Sequence, residues 1–211
     1  MWDERYSADE YVYGTVPNDF LSSMTDKLER GKVLCLAEGE GRNAVHLARE
    51  GFAVTAVDSS RVGLAKAEKL AQEHGVEIET IHTDLANYSI GESRWDSIVS
   101  ISCHLPPDLR KKVHRDVVAG LREGGTFLLE AYTPRQLEFG TGGPPTADLM
   151  MELATLEREL AGLRFIHGEE LIRDVVEGTH HTGRGAVVQV LAERRSRAGY
   201  RRRGRSTGSR A

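Results

Sequence analysis

Five apolar, strand-like segments of this sequence are each followed by small or polar residues that could contact a ligand. These residues are Ala37, Glu38, Gly39, Glu40 and Gly41 after the first segment, Asp58 and Ser59 after the second, Asp84 and Leu85 after the third, Ser102, Cys103 and His104 after the fourth, and Tyr132 after the fifth. In an open parallel sheet, ligands bind beyond the carboxyl ends of the strands. Three of the five ends carry carboxylates and none carries Lys or Arg, so a pocket there favours a cationic, hydroxyl-rich ligand over a di- or triphosphate.

Asp58 has the most specific position among these residues. It closes an apolar segment 17 residues after Gly41, where a carboxylate can accept hydrogen bonds from both hydroxyls of a ribose and would reject a 2′-phosphate. Asp84 could accept from an exocyclic amine, and the Leu85 amide could serve a ring nitrogen. Either aspartate could instead cap a helix or turn, and for Asp58 that role is compatible with ribose binding.

A glycine pair interrupts the stretch LCLAEGEGRNAVHLA at residues 34–48. Residues 39–44 fit G-x-G-x-x-A, which by itself is weak evidence for a dinucleotide-binding loop. A pyrophosphate would lie at the start of the following helix, where Glu38 and Glu40 would repel it. The ammonium of an amino acid would not be repelled, and Asn43 and backbone N–H groups could contact its other polar atoms.

Alternating strand-like and helix-like segments predict the fold that holds these residues. The predicted strands are KVLCLA, FAVTAVD, VEIETIHTD, WDSIVSIS and TFLLEAY. The predicted helices are PNDFLSSMTDKLERG, RNAVHLAREG, SRVGLAKAEKLAQEHG and PPDLRKKVHRDVVAGLREGG. Glycine or proline marks most of their ends. The pattern is typical of an α/β, Rossmann-like, doubly wound parallel sheet.

The alternation of strand-like and helix-like segments changes from residue 133 onward. A Gly/Pro-rich loop, TPRQLEFGTGGPPTAD, precedes a predicted helix LMMELATLERELAG. Two strand-like segments follow, LRFIHGEELIRDVVEG and RGAVVQVLAER, and the turn-like THHTG between them predicts an antiparallel hairpin at the sheet edge. We see no internal repeat or linker, so residues 1–193 are predicted to form one domain, with residues 1–30 as its N-terminal segment and first helix.

Charge is distributed unevenly along the chain. Residues 194–211 hold eight arginines and no acid, which leaves 20 of the 28 basic side chains against all 32 acidic ones in residues 1–193. The acidic body argues against a catalytic surface that grips nucleic acid. The tail, predicted to be disordered, could attract nucleic acid or anionic surfaces weakly.

The two cysteines are far apart in the sequence, which predicts buried thiols rather than a metal site. The sequence shows neither a leader nor a membrane span, so the protein is predicted to be cytoplasmic.

A ligand with an ammonium, a sulfonium, a ribose and an adenine is S-adenosylmethionine (SAM), and the sequence resembles the class I methyltransferases that use it. Within that class, WDERY, YGTVPNDFL, LAEGEGRNAVHLA and GRGAVVQVLA are similar to segments of the small bacterial tellurite-resistance and thiopurine methyltransferases. The similarity spans residue 2 to about residue 193. It implies a seven-stranded, mostly parallel sheet with a C-terminal antiparallel hairpin, and methyl transfer to a small thiol, chalcogen oxyanion or amine.

The first motif departs from the acidic-x-G-x-G-x-G pattern of that class. Cys35 stands at the acidic position and Ala37 at the first glycine. We expect Glu38, ahead of Glu40, to replace the missing carboxylate and hold the methionine ammonium. The predicted cofactor contacts are Tyr13, Gly14, Ala37, Glu38, Gly39, Glu40, Gly41, Asn43, Asp58, Ser59, Asp84, Leu85 and Ser102.

His104 is the best-placed titratable group for catalysis, because it follows the fourth strand; the alternative is a structural histidine. The same end of the sheet could also be lined by Tyr132, His180 and His181, which are predicted substrate contacts. Methyl transfer by in-line displacement depends mainly on positioning, so a general base is optional. Residues 1–14 are predicted to act as a mobile lid. Its aromatic residues are Tyr6, Tyr11 and Tyr13, whose ring faces would favour a sulfonium.

Two other functions stay open. An NAD-dependent oxidoreductase is supported by G-x-G-x-x-A with Asp58, although no Ser/Tyr-x-x-x-Lys pair appears and little chain remains for a substrate domain. A SAM-binding module whose basic tail recruits nucleic acid is the other alternative.

Overall fold

The computed structural model describes residues 2–178 and 181–195, and of His181 only the backbone. The strands are β1 Lys32–Leu36, β2 Ala53–Asp58, β3 Glu79–His82, β4 Trp95–Ile101, β5 Leu121–Tyr132, β6 Leu163–Glu177 and β7 His181–Arg194. They form a seven-stranded sheet in the order β3-β2-β1-β4-β5-β7-β6. The first five strands are parallel, and β7 is antiparallel to both of its neighbours. This is the mixed, doubly wound sheet that the sequence predicts.

Six α-helices lie among the described residues. They are α1 Trp2–Arg5, α2 Asp19–Met24, α3 Arg42–Arg49, α4 Arg61–Glu73, α5 Pro107–Gly120 and α6 Leu153–Glu159. Short 3-10 helices cover Thr25–Lys27, Pro134–Glu138 and Ala147–Leu149. The Ser60 hydroxyl accepts the Gly63 N–H at 3.0 Å and so caps α4. A proline at the first position opens α5.

Two predicted helices are shorter than expected. The opening helix ends as α2 at Met24 and continues only as a 3-10 turn to Lys27. The late helix starts at Leu153, because Met150 is extended (φ −92°, ψ 170°) and the Met151 N–H donates to the Tyr132 carbonyl at 3.0 Å. Tertiary contacts of these buried methionines therefore override local helix propensity.

The glycines at 124 and 125 do not end a helix, contrary to the prediction. Helix α5 ends at Gly120, and the buried Leu121 already pairs with Trp95 at the start of β5. Pairing then resumes with Thr126 opposite Ser97, so the residues between form an irregular bulge.

The predicted C-terminal hairpin is confirmed. Strand β7 pairs with β5 from Thr126–Glu193 to Tyr132–Val187. It pairs with β6 from Leu163–Arg194 to Glu177–His181. Residues 179 and 180, between β6 and β7 in the sequence, lie outside the described residues, as do residues 196–211 of the predicted tail. Arg194 belongs to β7, so the tail begins later than the predicted boundary.

Apolar side chains form two main core clusters. Members of the first include Leu34, Trp95, Ile98, Phe127, Leu129 and Val190. Members of the second include Phe20, Leu21, Val33, Leu47, Val99 and Leu128. Cys35 and Cys103 are both buried free thiols, as predicted. None of the helices in the described ranges has the length and apolar character that a membrane crossing requires.

A buried group of charges ties α5 to α6. Arg110 donates to both carboxylate oxygens of Glu159 at 3.0 to 3.3 Å, and the His114 ring nitrogen Nδ1 lies 2.7 Å from the same carboxylate. Burial by itself raises the pKa of Glu159. The hydrogen bonds from His114 and Arg110 outweigh burial and lower that pKa to about 2.

Replacing Glu159 by Gln is expected to destabilise the protein by about 2 kcal/mol near neutral pH, because charge-assisted hydrogen bonds are lost. The folded pKa of about 2 lies below the ordinary value of 4.5. The carboxylate therefore contributes stability above about pH 4.5 that disappears as the pH falls toward 2. Urea unfolding of both proteins between about pH 7 and pH 3 measures this effect. A difference in unfolding free energy that does not shrink in acid would contradict it.

Candidate functional site

The loop between β1 and α3 has the backbone of a close-approach glycine loop. Ala37, Gly39 and Gly41 have φ of 50°, 63° and 90°, in the left-handed region that favours glycine. A Cβ on Gly41 would lie 2.5 Å from the Ala67 Cβ on α4. Ala37 therefore keeps a conformation for which the class motif supplies glycine, and Gly41 lets α4 pack against the loop.

Asp58, at the end of β2, holds this loop in place. Its side chain is buried, with Oδ2 accepting the Gly39 N–H at 2.9 Å and Oδ1 accepting the Ser60 N–H at 2.7 Å. Burial raises the pKa of Asp58, and the Ser60 and Gly39 N–H groups partly offset that rise. Each carboxylate oxygen has a second lone pair, so these bonds leave acceptor capacity for hydroxyls.

Glu38 caps the start of α3 with a partly buried carboxylate. Its Oε1 accepts the Asn43 and Ala44 N–H groups at 3.0 and 2.7 Å. Burial raises its pKa to about 7, although those N–H groups and the charge of Arg42 act in the opposite direction. Burial and the neighbouring Glu38, to which the thiol donates, raise the pKa of Cys35. The Glu38 carboxylate thus lies beside the strand position where the class motif has its acid.

Glu40 is engaged differently from Glu38. It is buried, its Oε1 lies 2.8 Å from Lys66 Nζ, and its Oε2 accepts the Tyr13 N–H at 3.3 Å. Its charge is neutralised by Lys66 and its second oxygen anchors the N-terminal segment. These contacts favour Glu38 over Glu40 as the carboxylate for a ligand ammonium.

The N-terminal segment, residues 2–14, lies across the glycine loop and the start of α4. Asp3 accepts a hydrogen bond from the Ser60 hydroxyl at 2.6 Å. Tyr6 is buried, and a Cβ on Gly39 would lie only 2.6 Å from its hydroxyl oxygen. The Tyr11 hydroxyl donates to the Lys66 carbonyl at 3.3 Å. The segment therefore packs over the glycine loop, and its action as a mobile lid stays a prediction.

Four other predicted contacts are bonded to or packed against other parts of the protein. Asp84 is exposed, and its Oδ1 accepts the Ala86 N–H at 2.7 Å, whereas Leu85 is buried in the core. Ser59 is exposed and its carbonyl lies 3.1 Å from the His82 ring. The Asn43 side chain accepts the Asn18 N–H at 2.9 Å, so it anchors α2.

His104 is oriented by two backbone groups. Its Nδ1 lies 3.1 Å from the Leu149 carbonyl, and the Tyr132 N–H points to its Nε2 at 3.4 Å. The two rings stack, with centroids 5.8 Å apart. Such contacts fit a residue that positions Tyr132. His180 and the side chain of His181 lie outside the described residues, so their predicted substrate contacts stay predictions.

A crevice opens where β4 and β5 end against the hairpin. Its lining residues are Ser102, Glu130, Ala131, Tyr132, Val175, Glu177 and Val187. Ser102 has φ 54° and its N–H donates to the Glu130 carbonyl at 2.8 Å. Among the described residues, no group of three or more His, Cys, Asp or Glu side chains is arranged to hold a metal.

The sequence did not reveal the buried charges beside this crevice. Glu130 and Glu177 are 4% and 5% exposed, and both bond Asn18 at 2.7 Å. Arg42 donates to Glu177 at 2.7 Å, and Arg173 donates to both glutamates. A carboxylate inside the apolar run TFLLEAY was the one available signal, because a buried charge needs a partner.

Comparison with known proteins indicates the class of protein to which this site is similar. Residues 33–125 match the family described as a methyltransferase domain. A protein solved in work on the conversion of a disulfide bond into a thioacetal group during echinomycin biosynthesis has a TM-score of 0.74 at 18% identity, covering 98% of this chain and 96% of that one. TehB from Haemophilus influenzae has a TM-score of 0.70 at 18% identity, covering 92% of this chain and 66% of that one.

A SAM-dependent methyltransferase from Clostridium acetobutylicum ATCC 824 is also similar, with a TM-score of 0.62 at 17% identity and coverage of 92% and 96%. No curated protein sequence matches the chain. Residues 33–125 thus match a methyltransferase domain, and the fold is the class I fold of these neighbours. It is an enzyme of the methyltransferase class, and SAM is the cofactor that this domain implies. The comparisons favour this reading over the NAD-dependent alternative.

Proposed function

We propose that the protein transfers the methyl group of SAM to a small molecule or ion that binds at the end of the sheet near Tyr132. The observation that carries the proposal is Asp58, a buried carboxylate at the end of β2 that bonds the glycine loop at Gly39 N. In this position Asp58 would accept hydrogen bonds from the ribose of SAM, and the glycine loop beside it would contact the amino-acid part of SAM. The methyltransferase match at residues 33–125 supports the same chemistry.

The described residues fit SAM in charge and in donor type. Asp58 would accept from the ribose hydroxyls, Glu38 from the ammonium, and Asp84 from the adenine amine. When bound, SAM supplies a methyl group on a positively charged sulfur. The protein's own task is then to orient the acceptor and keep it close to that group.

The acceptor is proposed to be small because the sequence resembles methyltransferases that act on small molecules and ions. A thiol, a chalcogen oxyanion and an amine are the candidate classes, in line with the similarity to tellurite-resistance and thiopurine methyltransferases. His104 is proposed to position Tyr132 at this mouth, with no general base required for an anionic nucleophile.

A radiolabelled methyl-transfer screen tests the function directly. The full chain is incubated with labelled SAM and with tellurite, selenite, small thiols or small amines, and label in the products is measured. Transfer to one class that stops in an Asp58→Ala variant would support the proposal. Calorimetry showing tight NAD binding and no SAM binding would refute it. Salt-sensitive RNA binding that disappears without residues 194–211, with no acceptor found, would support the binding-module alternative.

Deleting residues 1–14 is expected to weaken SAM binding about tenfold or more. The buried Tyr6 covers the glycine loop, and loss of one buried aromatic contact is worth about 1.5–3 kcal/mol. Calorimetry with SAM measures the change, with Trp2→Ala as a control because Trp2 is 43% exposed. Equal affinity of the deletion variant and the intact chain would refute the lid.

A further inference from the structure

Arg42 is a buried cation, and one of its buried nitrogens lacks a hydrogen-bond partner among the described residues. It is the first residue of α3, it is 7% exposed, and its Nη2 donates to Glu177 Oε2 at 2.7 Å. Within the described part of the chain, its Nη1 is buried and has no hydrogen-bond partner. Buried polar groups are nearly always bonded, and an unmet charged donor is costly. The orphaned Nη1 therefore points to a ligand with a negative group.

The place of Arg42 identifies the ligand group. Arg42 follows Gly41 directly, and its Nη2 donates at 2.7 Å to Glu177, which lines the crevice; its charge also acts to lower the pKa of Glu38. It thus lies between the glycine loop and the crevice. An amino-acid moiety carries its ammonium and its carboxylate on one carbon, so it needs an anion and a cation side by side. Glu38 and Arg42 meet that requirement.

Two other cations near the site are partly buried, and both already have partners. Lys66 bonds the Glu40 carboxylate and the Glu10 carbonyl, both at 2.8 Å. Arg173 uses Nε, Nη1 and Nη2, and its partners are Glu130, Asp19, Glu177 and the Asp174 carbonyl. Arg42 differs from both because Glu177 holds its guanidinium through Nη2, while its buried Nη1 has no partner among the described residues.

We propose that Arg42 Nη1 binds the α-carboxylate of SAM and thereby selects a donor that carries this carboxylate. The inference rests on the proposed function and deepens it. Decarboxylated SAM has the same sulfonium, ribose and adenine but would leave Nη1 unpaired. A site of this kind rejects an analogue because the buried group loses its partner, which discriminates strongly. Glu177 acts as the positioning residue that holds the guanidinium.

Titration calorimetry of the full chain with SAM and with decarboxylated SAM tests the proposal. The wild type is expected to bind SAM about tenfold to a hundredfold more tightly, as one charge-assisted bond in a buried site provides. In Arg42→Gln, SAM binding should weaken by that factor, whereas binding of decarboxylated SAM should stay nearly unchanged. The ratio of the two affinities is the readout, because general loss of structure weakens both.

Two further variants complete the test. Arg42→Lys keeps the charge and should retain part of the preference, and it serves if Arg42→Gln does not fold. Arg173→Gln alters the same charge network at a fully bonded arginine and should leave the ratio unchanged. Equal binding of both compounds by the wild type, or a ratio unchanged in Arg42→Gln, would overturn the proposal. A wild type that binds neither compound would refute the proposed function instead.

Discussion

Replacing Asp58 by Ala is expected to weaken SAM binding more than a hundredfold. The variant loses the proposed ribose acceptor and leaves the buried Gly39 and Ser60 N–H groups without their partner. Each unmet buried donor costs about 1–3 kcal/mol, so the glycine loop would also lose its geometry. Calorimetry with SAM measures the loss, and thermal unfolding of the free protein measures the structural part of it.

Asp58→Asn separates the two contributions. Its single carbonyl oxygen can serve one backbone N–H but not both, and it carries no charge. We expect a smaller loss of stability than in Asp58→Ala but still at least a tenfold loss of SAM affinity. Asp84→Asn is the comparison, because Asp84 is exposed and a solvated contact contributes less. If Asp84→Asn weakened binding more than Asp58→Asn, Asp58 would not be the principal ribose contact.

Glu38→Gln is expected to remove a pH dependence of SAM binding as well as affinity. Burial raises the pKa of Glu38 to about 7, so the carboxyl is mostly neutral near pH 6 and ionised near pH 8. The ionised form attracts an ammonium, and wild-type affinity should therefore rise about fivefold between pH 6 and pH 7, below the range of about pH 7.7–8.0 in which an α-ammonium loses its own proton. Calorimetry at several pH values measures the profile, which should be flat in the variant.

Stability provides an independent check on Glu38. Its folded pKa lies above the ordinary value of 4.5, so ionisation is penalised in the fold, and the wild type should lose stability relative to Glu38→Gln as the pH rises from about 4.5 to 7. This direction is opposite to that expected for Glu159. Glu40→Gln is the matched control, because Glu40 is paired with Lys66; it should keep the wild-type pH profile. A larger loss of SAM affinity in Glu40→Gln than in Glu38→Gln would show that Glu40 holds the ammonium.

Local patterns were sufficient for the parallel half of the sheet. Strands β1, β2 and β4 are short apolar runs with helices between them, and each has the type that the sequence predicts. Their carboxyl ends must share one edge of a parallel sheet, so the sequence predicts that Asp58 and Gly39 lie close together. The observed bond between them agrees with that reasoning.

Local sequence patterns gave wrong secondary-structure predictions where contacts between residues distant in the chain determine the conformation. Met150 and Met151 lie in a helix-like stretch but are buried and extended beside β5, and Gly124 marks a bulge rather than a helix end. The pairing of Leu121 with Trp95 across two strands outweighs the local preference of a polar, glycine-rich stretch. Single-residue propensity is worth only fractions of a kcal/mol per residue, and burial of a large side chain exceeds it.

The sequence by itself determined the class of fold, the ligand edge of the sheet and the acidic character of that edge. It determined these because strand periodicity, glycine placement and charge are local properties. Only the tertiary structure decided that Glu40 is neutralised by Lys66, that Glu38 lies beside Cys35, and that Arg42 reaches Glu177 while keeping a nitrogen unpaired. Those pairings join residues up to 135 positions apart, and partners so distant in the chain are set by packing of the whole domain.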